Sequence, residues 1–168
     1  MNELELNKLS SKYDVRKLNE TDVELIYTFC KSNTPYYAYC GKELSMELIE
    51  NDLTIAPPGI PMEQKYYIGF FEGDRLIAIM DLVVGFPDED TAYIGFFMMN
   101  SKLQGVGIGS EIVSETLEYL KEYGFQRCRL GIDKANPQSN HFWKKNWFEV
   151  IREVVQEEGI ILVAERQL

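Results

Sequence analysis

Three glycines alternate with other residues in the stretch QGVGIG, at Gly105, Gly107 and Gly109. They lie between an apolar stretch that ends at Met99 and an amphipathic stretch that predicts a helix from Ile108. The first N–H groups of a helix have no internal partner and carry partial positive charge. Glycines keep side chains away from such amides, so the amides can converge on an anion. The stretch therefore predicts a phosphate-binding turn, and a pyrophosphate is the ligand that suits it.

Two other interpretations of this turn stay open from the residues alone. One is a structural turn that binds nothing. The other is the dinucleotide-binding turn GxGxxG, which Asp133 supports because it lies at the end of the next predicted strand. Against the dinucleotide turn, the third glycine comes one residue early, and several predicted strands precede the turn. The elements around the turn must decide among these interpretations.

The first half of the chain predicts an antiparallel meander. A first strand is predicted over 13–18, and a helix capped by Asn19 or Thr21 follows it. A short helix is predicted over Ser45–Leu53. Turn residues then separate three apolar stretches, which read as consecutive antiparallel strands. These strands are predicted over Tyr66–Glu72, Leu76–Gly85 and Ala92–Met99.

The second half predicts a βαβ unit followed by two more strands. The helix that starts at Ile108 extends to Tyr123. A strand over 127–133, a helix capped by Asn136, and strands over Phe148–Val155 and Ile160–Arg166 come next. The fold class is thus α/β, a mixed α+β sheet in which an antiparallel meander precedes a βαβ unit, with helices on both faces. Residues 1–168 are expected to form a single domain.

Charge and cysteine usage exclude several classes of partner. The net charge of −10 disfavours nucleic acid and anionic membrane surfaces. Residues 100–146 hold seven Lys/Arg and five Asp/Glu, a local +2 that leaves −12 for the rest of the chain. Cys30, Cys40 and Cys128 have neither metal-ligand nor disulfide-framework spacing, so no metal is expected. No apolar run approaches the ~20 residues of a membrane span, so we expect a cytoplasmic protein that binds neither membrane nor nucleic acid.

The glycine stretch resembles the acetyl-CoA motif Q/R-x-x-G-x-G/A of the GNAT family of N-acetyltransferases. The preceding strand IGFFMMN, the long helix, the strand CRLGID and the segment NPQSNHFWKKNWFEV resemble the family's core elements in the same order. The resemblance covers roughly residues 13–155 and implies a GNAT-like fold. It also implies acetyl-CoA as the acyl donor, with no metal cofactor.

The resemblance assigns a role to each part of the motif region. It implies that the turn holds the CoA pyrophosphate through Gln104, Gly105, Val106, Gly107, Ile108, Gly109 and Ser110. The preceding strand would bind the pantetheine arm at Phe97, Met98 and Met99, and a bulge there would splay it from its neighbour. Asn136 would contact the pantetheine or thioester region, although it also suits a plain helix cap.

One departure from the family pattern affects the chemistry. The family pattern near Asn136 is N-x-x-A-x-x-x-Y-x-x-x-G-F, and this chain has Trp143 at the tyrosine position and Trp147 at the glycine position. The family tyrosine often protonates the departing thiolate, whereas an indole N–H only donates a hydrogen bond. Trp143 is therefore expected to form a wall of the pantetheine tunnel, and the acid is left unassigned.

An amine attacks a thioester only when it is neutral, so a base or a water molecule must take its proton. Asp81 is the candidate base, because a carboxylate in the apolar stretch LIAIMDLVVG must be paired, hydrogen-bonded or functional. Tyr93 is expected near it on the next strand.

His141 is expected to have a surface or packing role. The stretch NTPYYAYCGKE (33–43) is either a packed loop or part of a pocket for a cationic amine.

These features predict an acetyl-CoA-dependent N-acetyltransferase. It would transfer the acetyl group directly to a primary amine of a small molecule or a peptide, with a cationic acceptor. The alternative is a non-catalytic acyl-CoA-binding or sensor domain with the same fold. A homodimer is compatible with the sequence, which does not determine the oligomeric state.

Overall fold

The computed structural model describes residues 3–168, which form a seven-stranded sheet with helices on both faces. The strands are β1 Asp14–Lys17, β2 Lys65–Glu72, β3 Arg75–Val84, β4 Thr91–Met99, β5 Arg127–Asp133, β6 Glu149–Gln156 and β7 Gly159–Gln167. The α-helices are α1 Val23–Lys31, α2 Thr34–Cys40, α3 Met46–Thr54, α4 Ile108–Tyr123 and α5 Pro137–Lys145. Among residues 3–168, no helix is long and apolar enough to cross a membrane.

The strand order is β1-β2-β3-β4-β5-β7-β6, and every neighbouring pair is antiparallel except β4 with β5. An antiparallel meander (β2–β4) therefore precedes a parallel βαβ unit (β4-α4-β5), which confirms the predicted fold class. Side chains of a strand alternate between the two faces of the sheet. Met80 accordingly packs in the core on the α4 side, whereas Ile79 packs in a second core against α1 and α3.

The segment after α1 differs from the expectation of a tyrosine-rich loop. It forms helix α2, with Pro35 in the first turn and Gly41 at φ +67° just after the last turn. Proline at the start and a left-handed glycine at the end are common helix boundaries. The helix has no fully buried residue, so its sequence lacks the apolar periodicity that would have revealed it.

Strands β4 and β5 pair only along half of their length. Thr91–Ile94 are in register with Arg127–Leu130, and the two strands diverge beyond that point. The bulge in β4 is at Gly95, because Asp81 pairs with Phe96 while the next residue of β3 pairs with Ile94. The predicted bulge that splays β4 from its neighbour is therefore present, but it lies at Gly95 and not at Phe97, Met98 and Met99, whose register with β3 is regular.

A side chain at the bulge position would crowd Asp81. A Cβ atom on Gly95 would lie 3.1 Å from Asp81 Oδ2. The glycine at the bulge thus leaves room for a residue of another strand, which residues 97–99 alone could not indicate. Its consequence is a gap in the sheet between the C-terminal halves of β4 and β5.

Candidate acyl-CoA site

A cavity of about 560 Å³ lies beside the unpaired half of β4. Its walls are the α1–α2 junction on one side and α5 on the other, and the glycine turn borders it. Ten predicted site residues line it: Phe97, Met98, Met99, Gln104, Gly105, Gly107, Gly109, Ser110, Asn136 and Trp143. Four do not: Asp81, Tyr93, Val106 and Ile108. The predicted cofactor residues are thus mostly brought together, and the two predicted catalytic residues are not among them.

The glycine turn has the backbone conformation that its sequence suggested. Gly105 has φ +79° and Gly107 has φ +89°, and a Cβ atom on either would meet nothing within 4 Å. Glycine is favoured there by the left-handed backbone and leaves the space open. The amide of Glu111 donates to the Gly107 carbonyl at 3.1 Å to close the first turn of α4. The amides of residues 108–110 therefore lack intrahelical partners and can receive an anion.

The third glycine serves packing. A Cβ atom on Gly109 would lie 3.2 Å from Met99 Cγ and 3.2 Å from Phe142 Cε2. Next to it, Asn146 Nδ2 donates to Ser110 Oγ at 3.1 Å. The start of α4 is therefore held against the end of β4 and against the C-terminal end of α5.

A chain of side-chain amides crosses the cavity. Gln104 Nε2 donates to Asn33 Oδ1 at 2.6 Å, and Gln138 Nε2 donates to Gln104 Oε1 at 3.1 Å. The buried Asn33 also donates from Nδ2 to the Met99 carbonyl at 3.3 Å. Sequence reasoning missed Gln138, and it placed Asn33 only within the stretch 33–43, as part of a packed loop or of an amine pocket. Together they connect the α1–α2 junction to the glycine turn and to α5.

Trp143 lies in the wall of the cavity, with an exposed fraction of 6%. Its ring centroid is 5.9 Å from that of Phe97 and 5.2 Å from that of Phe148. Asn136 caps α5 by accepting a hydrogen bond from the Ser139 amide at 3.1 Å, and it also lines the cavity. The cap does not exclude a ligand contact, so both expectations for Asn136 stand.

Asp81 lies outside the cavity lining and forms an ion pair with Lys65 at 2.6 Å. The exposed side-chain fractions are 14% for Asp81 and 4% for Lys65. Burial raises the pKa of the Asp81 carboxyl, and the Lys65 ammonium opposes that rise. Asp81 Oδ1 is buried and has no hydrogen-bond partner among the described residues. This environment favours a structural ion pair, one of the alternatives left open for this carboxylate.

The other two candidates for proton transfer occupy different places. Tyr93 packs edge-on against Phe86, with ring centroids 5.3 Å apart, and lies outside the cavity lining. Burial raises the pKa of Tyr93, and Arg129 opposes the rise. His141 is exposed as expected, yet it lines the edge of the cavity.

Comparison with known proteins decides the family. A sequence model described as "Acetyltransferase (GNAT) family" matches residues 26–147, which is well over half of the chain. The chain belongs to the GNAT family of acetyltransferases. The resemblance of the glycine turn and its surrounding elements is thereby confirmed. A search of curated protein sequences gave no significant match.

Solved structures share the GNAT fold of this chain at low sequence identity. An acetyltransferase from Thermus thermophilus superimposes with a TM-score of 0.76 at 20% identity, covering 94% of this chain and 97% of that one. A Salmonella typhimurium acetyltransferase that modifies the N-terminal serine of ribosomal protein L7/L12 has a TM-score of 0.74 at 18% identity, covering 95% and 97%. The PaiA N-acetyltransferase from Thermoplasma acidophilum, solved with coenzyme A, has a TM-score of 0.66 at 19% identity, covering 93% and 99%.

Proposed function

We propose that the chain is an acetyl-CoA-dependent N-acetyltransferase that transfers an acetyl group directly to a primary amine. The observation that carries this proposal is the continuity of one cavity from the glycine turn, with its free amides, along the unpaired half of β4. In this arrangement residues 104–110 hold the pyrophosphate of CoA, and Phe97–Met99 run beside the pantetheine arm. Asn136 and Trp143 contact the pantetheine from α5.

The acceptor is proposed to be a cationic amine of a small molecule or a peptide. The net charge of −12 outside residues 100–146 supports this charge preference. The similar Salmonella protein acts on a protein N-terminus, which makes a peptide acceptor worth testing first. Direct attack of the amine on the thioester uses no metal. The single domain over 1–168 and the homodimer stay predictions.

The second candidate function is an acyl-CoA-binding domain without catalysis. It is favoured by Trp143 at the position of the family's acid and by the absence of a carboxylate among the described residues that line the cavity. Asp81 stays a prediction for the base. Its ion pair and its place outside the cavity weaken that assignment.

Two measurements test both candidates. Acetyl-CoA should raise the melting temperature, because a ligand that binds only the folded state stabilises it. Release of free CoA thiol should then require an amine from a panel of spermidine, kanamycin, single amino acids and a peptide with a free N-terminus, with product mass as the readout. Binding without CoA release across that panel would favour the non-catalytic domain. No thermal shift with acetyl-CoA would contradict both.

A further inference from the structure

The proposed acetyl transfer leaves one proton unassigned. As the amine nitrogen bonds to the acetyl carbon, the C–S bond breaks and its electron pair moves to sulfur. A nearby acid that protonates this sulfur accelerates the step. Trp143 cannot serve, because an indole N–H is not a usable acid. The assignment of a residue as this acid rests on the proposed function.

Among the described residues that line the cavity, three have side chains that titrate: Tyr36, His141 and Lys145. Lys145 precedes Asn146, whose side chain bonds to Ser110 at the start of α4. Lys145 therefore lies at the glycine-turn end of the cavity. His141 is exposed and lies one helical turn from Lys145 on α5. Lys145 is therefore away from the end where the strands diverge, and His141 is exposed to bulk solvent.

Tyr36 lies at that other end. Its ring packs edge-on against Phe96, with centroids 5.5 Å apart, and Phe96 directly follows the bulge residue Gly95. A second edge-on contact with Tyr37, at 5.1 Å, restrains the ring further. The Tyr36 ring is thus fixed beside the place where β4 separates from β5.

The backbone of Tyr36 is tied to the rest of the site. Its amide donates to the Asn33 carbonyl at 3.1 Å. The Asn33 side chain in turn contacts the Met99 carbonyl and Gln104. Helix α2 is therefore anchored to β4 and to the glycine turn, so the distance from the turn to Tyr36 is set by protein contacts.

The hydroxyl of Tyr36 has the protonation state and the free hydrogen-bonding capacity that a general acid needs. It forms no hydrogen bond with another described residue, so it is free to meet a ligand. Burial raises its pKa, and the surrounding titratable groups act in the same direction. These groups are Cys30, Cys40, Asp52 and Asp133, with Tyr37 and Tyr67 also close by. At neutral pH the side chain therefore carries its proton.

We propose that Tyr36 donates its phenolic proton to the sulfur of the departing CoA thiolate. The sulfur leaves as a neutral thiol, and the Tyr36 phenolate regains a proton from water. The surplus proton of the amine nitrogen leaves to water or to a base. The tyrosine of α2 thus supplies from the opposite wall the acid that Trp143 cannot provide.

The test compares two tyrosines of the same helix, with the amine from the panel above that gives the fastest CoA release. Tyr36→Phe should lower kcat by about 100-fold, the size of effect typical of losing a general acid. The KM values for acetyl-CoA and amine should stay within about twofold, because the change acts on the transition state. Tyr39→Phe, at a residue with 40% exposure, is the matched control and should keep wild-type kcat. Thermal unfolding of both variants checks that they fold.

A second readout separates acid catalysis from packing. Trifluorotyrosine at position 36 keeps the ring and hydroxyl but lowers the phenol pKa by several units. An alkaline fall in kcat should then enter the measurable pH range, and the same substitution at position 39 should not produce it. Wild-type kcat in Tyr36→Phe, or an unchanged pH profile with trifluorotyrosine, would overturn the assignment alone. A wild-type protein that acetylates no amine overturns the proposed function and this assignment together.

Discussion

The Lys65 ammonium lies 2.6 Å from Asp81 Oδ2 beneath the bulge of β4, where Gly95 leaves room for the carboxylate. Removing one partner of a buried pair leaves an uncompensated charge, which costs about 3–5 kcal/mol. Asp81→Asn should therefore lower the free energy of unfolding by about 3 kcal/mol in urea denaturation, as Lys65 loses its counter-charge.

The matched variant replaces the pair as a whole. Lys65→Met with Asp81→Leu should recover most of the lost stability, because apolar residues can replace a buried ion pair without loss. Full stability of Asp81→Asn combined with a large fall in kcat would instead support Asp81 as the base.

The glycine turn gives a prediction for CoA binding. Gly107→Asp places a carboxylate where the pyrophosphate is proposed to lie, and like charges in contact cost several kcal/mol, so CoA affinity should fall by about 100-fold or more. The control is Gly59→Asp, since Gly59 has a similar φ of +82° and open space around it but lies outside the cavity. Calorimetric titration with CoA measures both. Equal CoA affinities in the two variants would contradict the assignment of the pyrophosphate to the turn.

Trp147 gives a prediction for stability. It is the one described residue other than glycine with a positive φ, +66°, and 77% of it is exposed. An L-residue in this left-handed region costs about 1–2 kcal/mol. Trp147→Gly should therefore raise the free energy of unfolding by about 1 kcal/mol, or about 2–4 °C in melting temperature. Trp147→Ala removes the same ring but keeps the strain, so it should show no such gain.

The junction of β1 with the following helical turn predicts a pH dependence. Arg16 donates two hydrogen bonds of 2.9 Å to the Asp22 carboxylate, which also accepts from the Asn19 amide at 3.0 Å. The Arg16 hydrogen bonds hold the pKa of Asp22 below its ordinary value. Because the pKa of Asp22 is lower in the folded state, its carboxylate adds to the free energy of unfolding at pH values above its ordinary pKa of 3.8. That contribution is lost as the pH falls through the lowered pKa.

The difference in unfolding free energy between wild type and Asp22→Asn isolates this effect. It should be about 1 kcal/mol at neutral pH, a modest value because half of Arg16 is exposed. Below the folded-state pKa it should shrink towards zero. A difference that grows on acidification would mean that Arg16 does not stabilise the charged carboxylate.

Local signals in the sequence were enough to predict most elements and the backbone of the glycine turn. The apolar stripe of α4 gave its range, Ile108–Tyr123, and the strand over 127–133 coincides with β5. The glycine turn was also predictable, because a left-handed backbone has its own residue preference at Gly105 and Gly107.

The features that escaped prediction depend on contacts between distant segments. Gly95 at the bulge lies against Asp81 on another strand, and the partner of Asp81 lies sixteen residues earlier, at Lys65. Helix α2 has no buried stripe of its own, so its tyrosines gave no helical pattern. The place of Tyr36 beside Phe96 depends on how α2 packs against β4, which no local pattern indicates.

The short pairing of β4 with β5 has a thermodynamic consequence. Four residue pairs, 91–94 with 127–130, join the β1–β4 half of the sheet to the β5–β7–β6 half. Under the proposed function, acetyl-CoA would contact both halves of the sheet where the pairing of β4 with β5 ends. At a concentration of one hundred times its Kd, such a ligand adds about 2.7 kcal/mol to the free energy of unfolding. The stability of this protein would then rise and fall with the concentration of its own acyl donor.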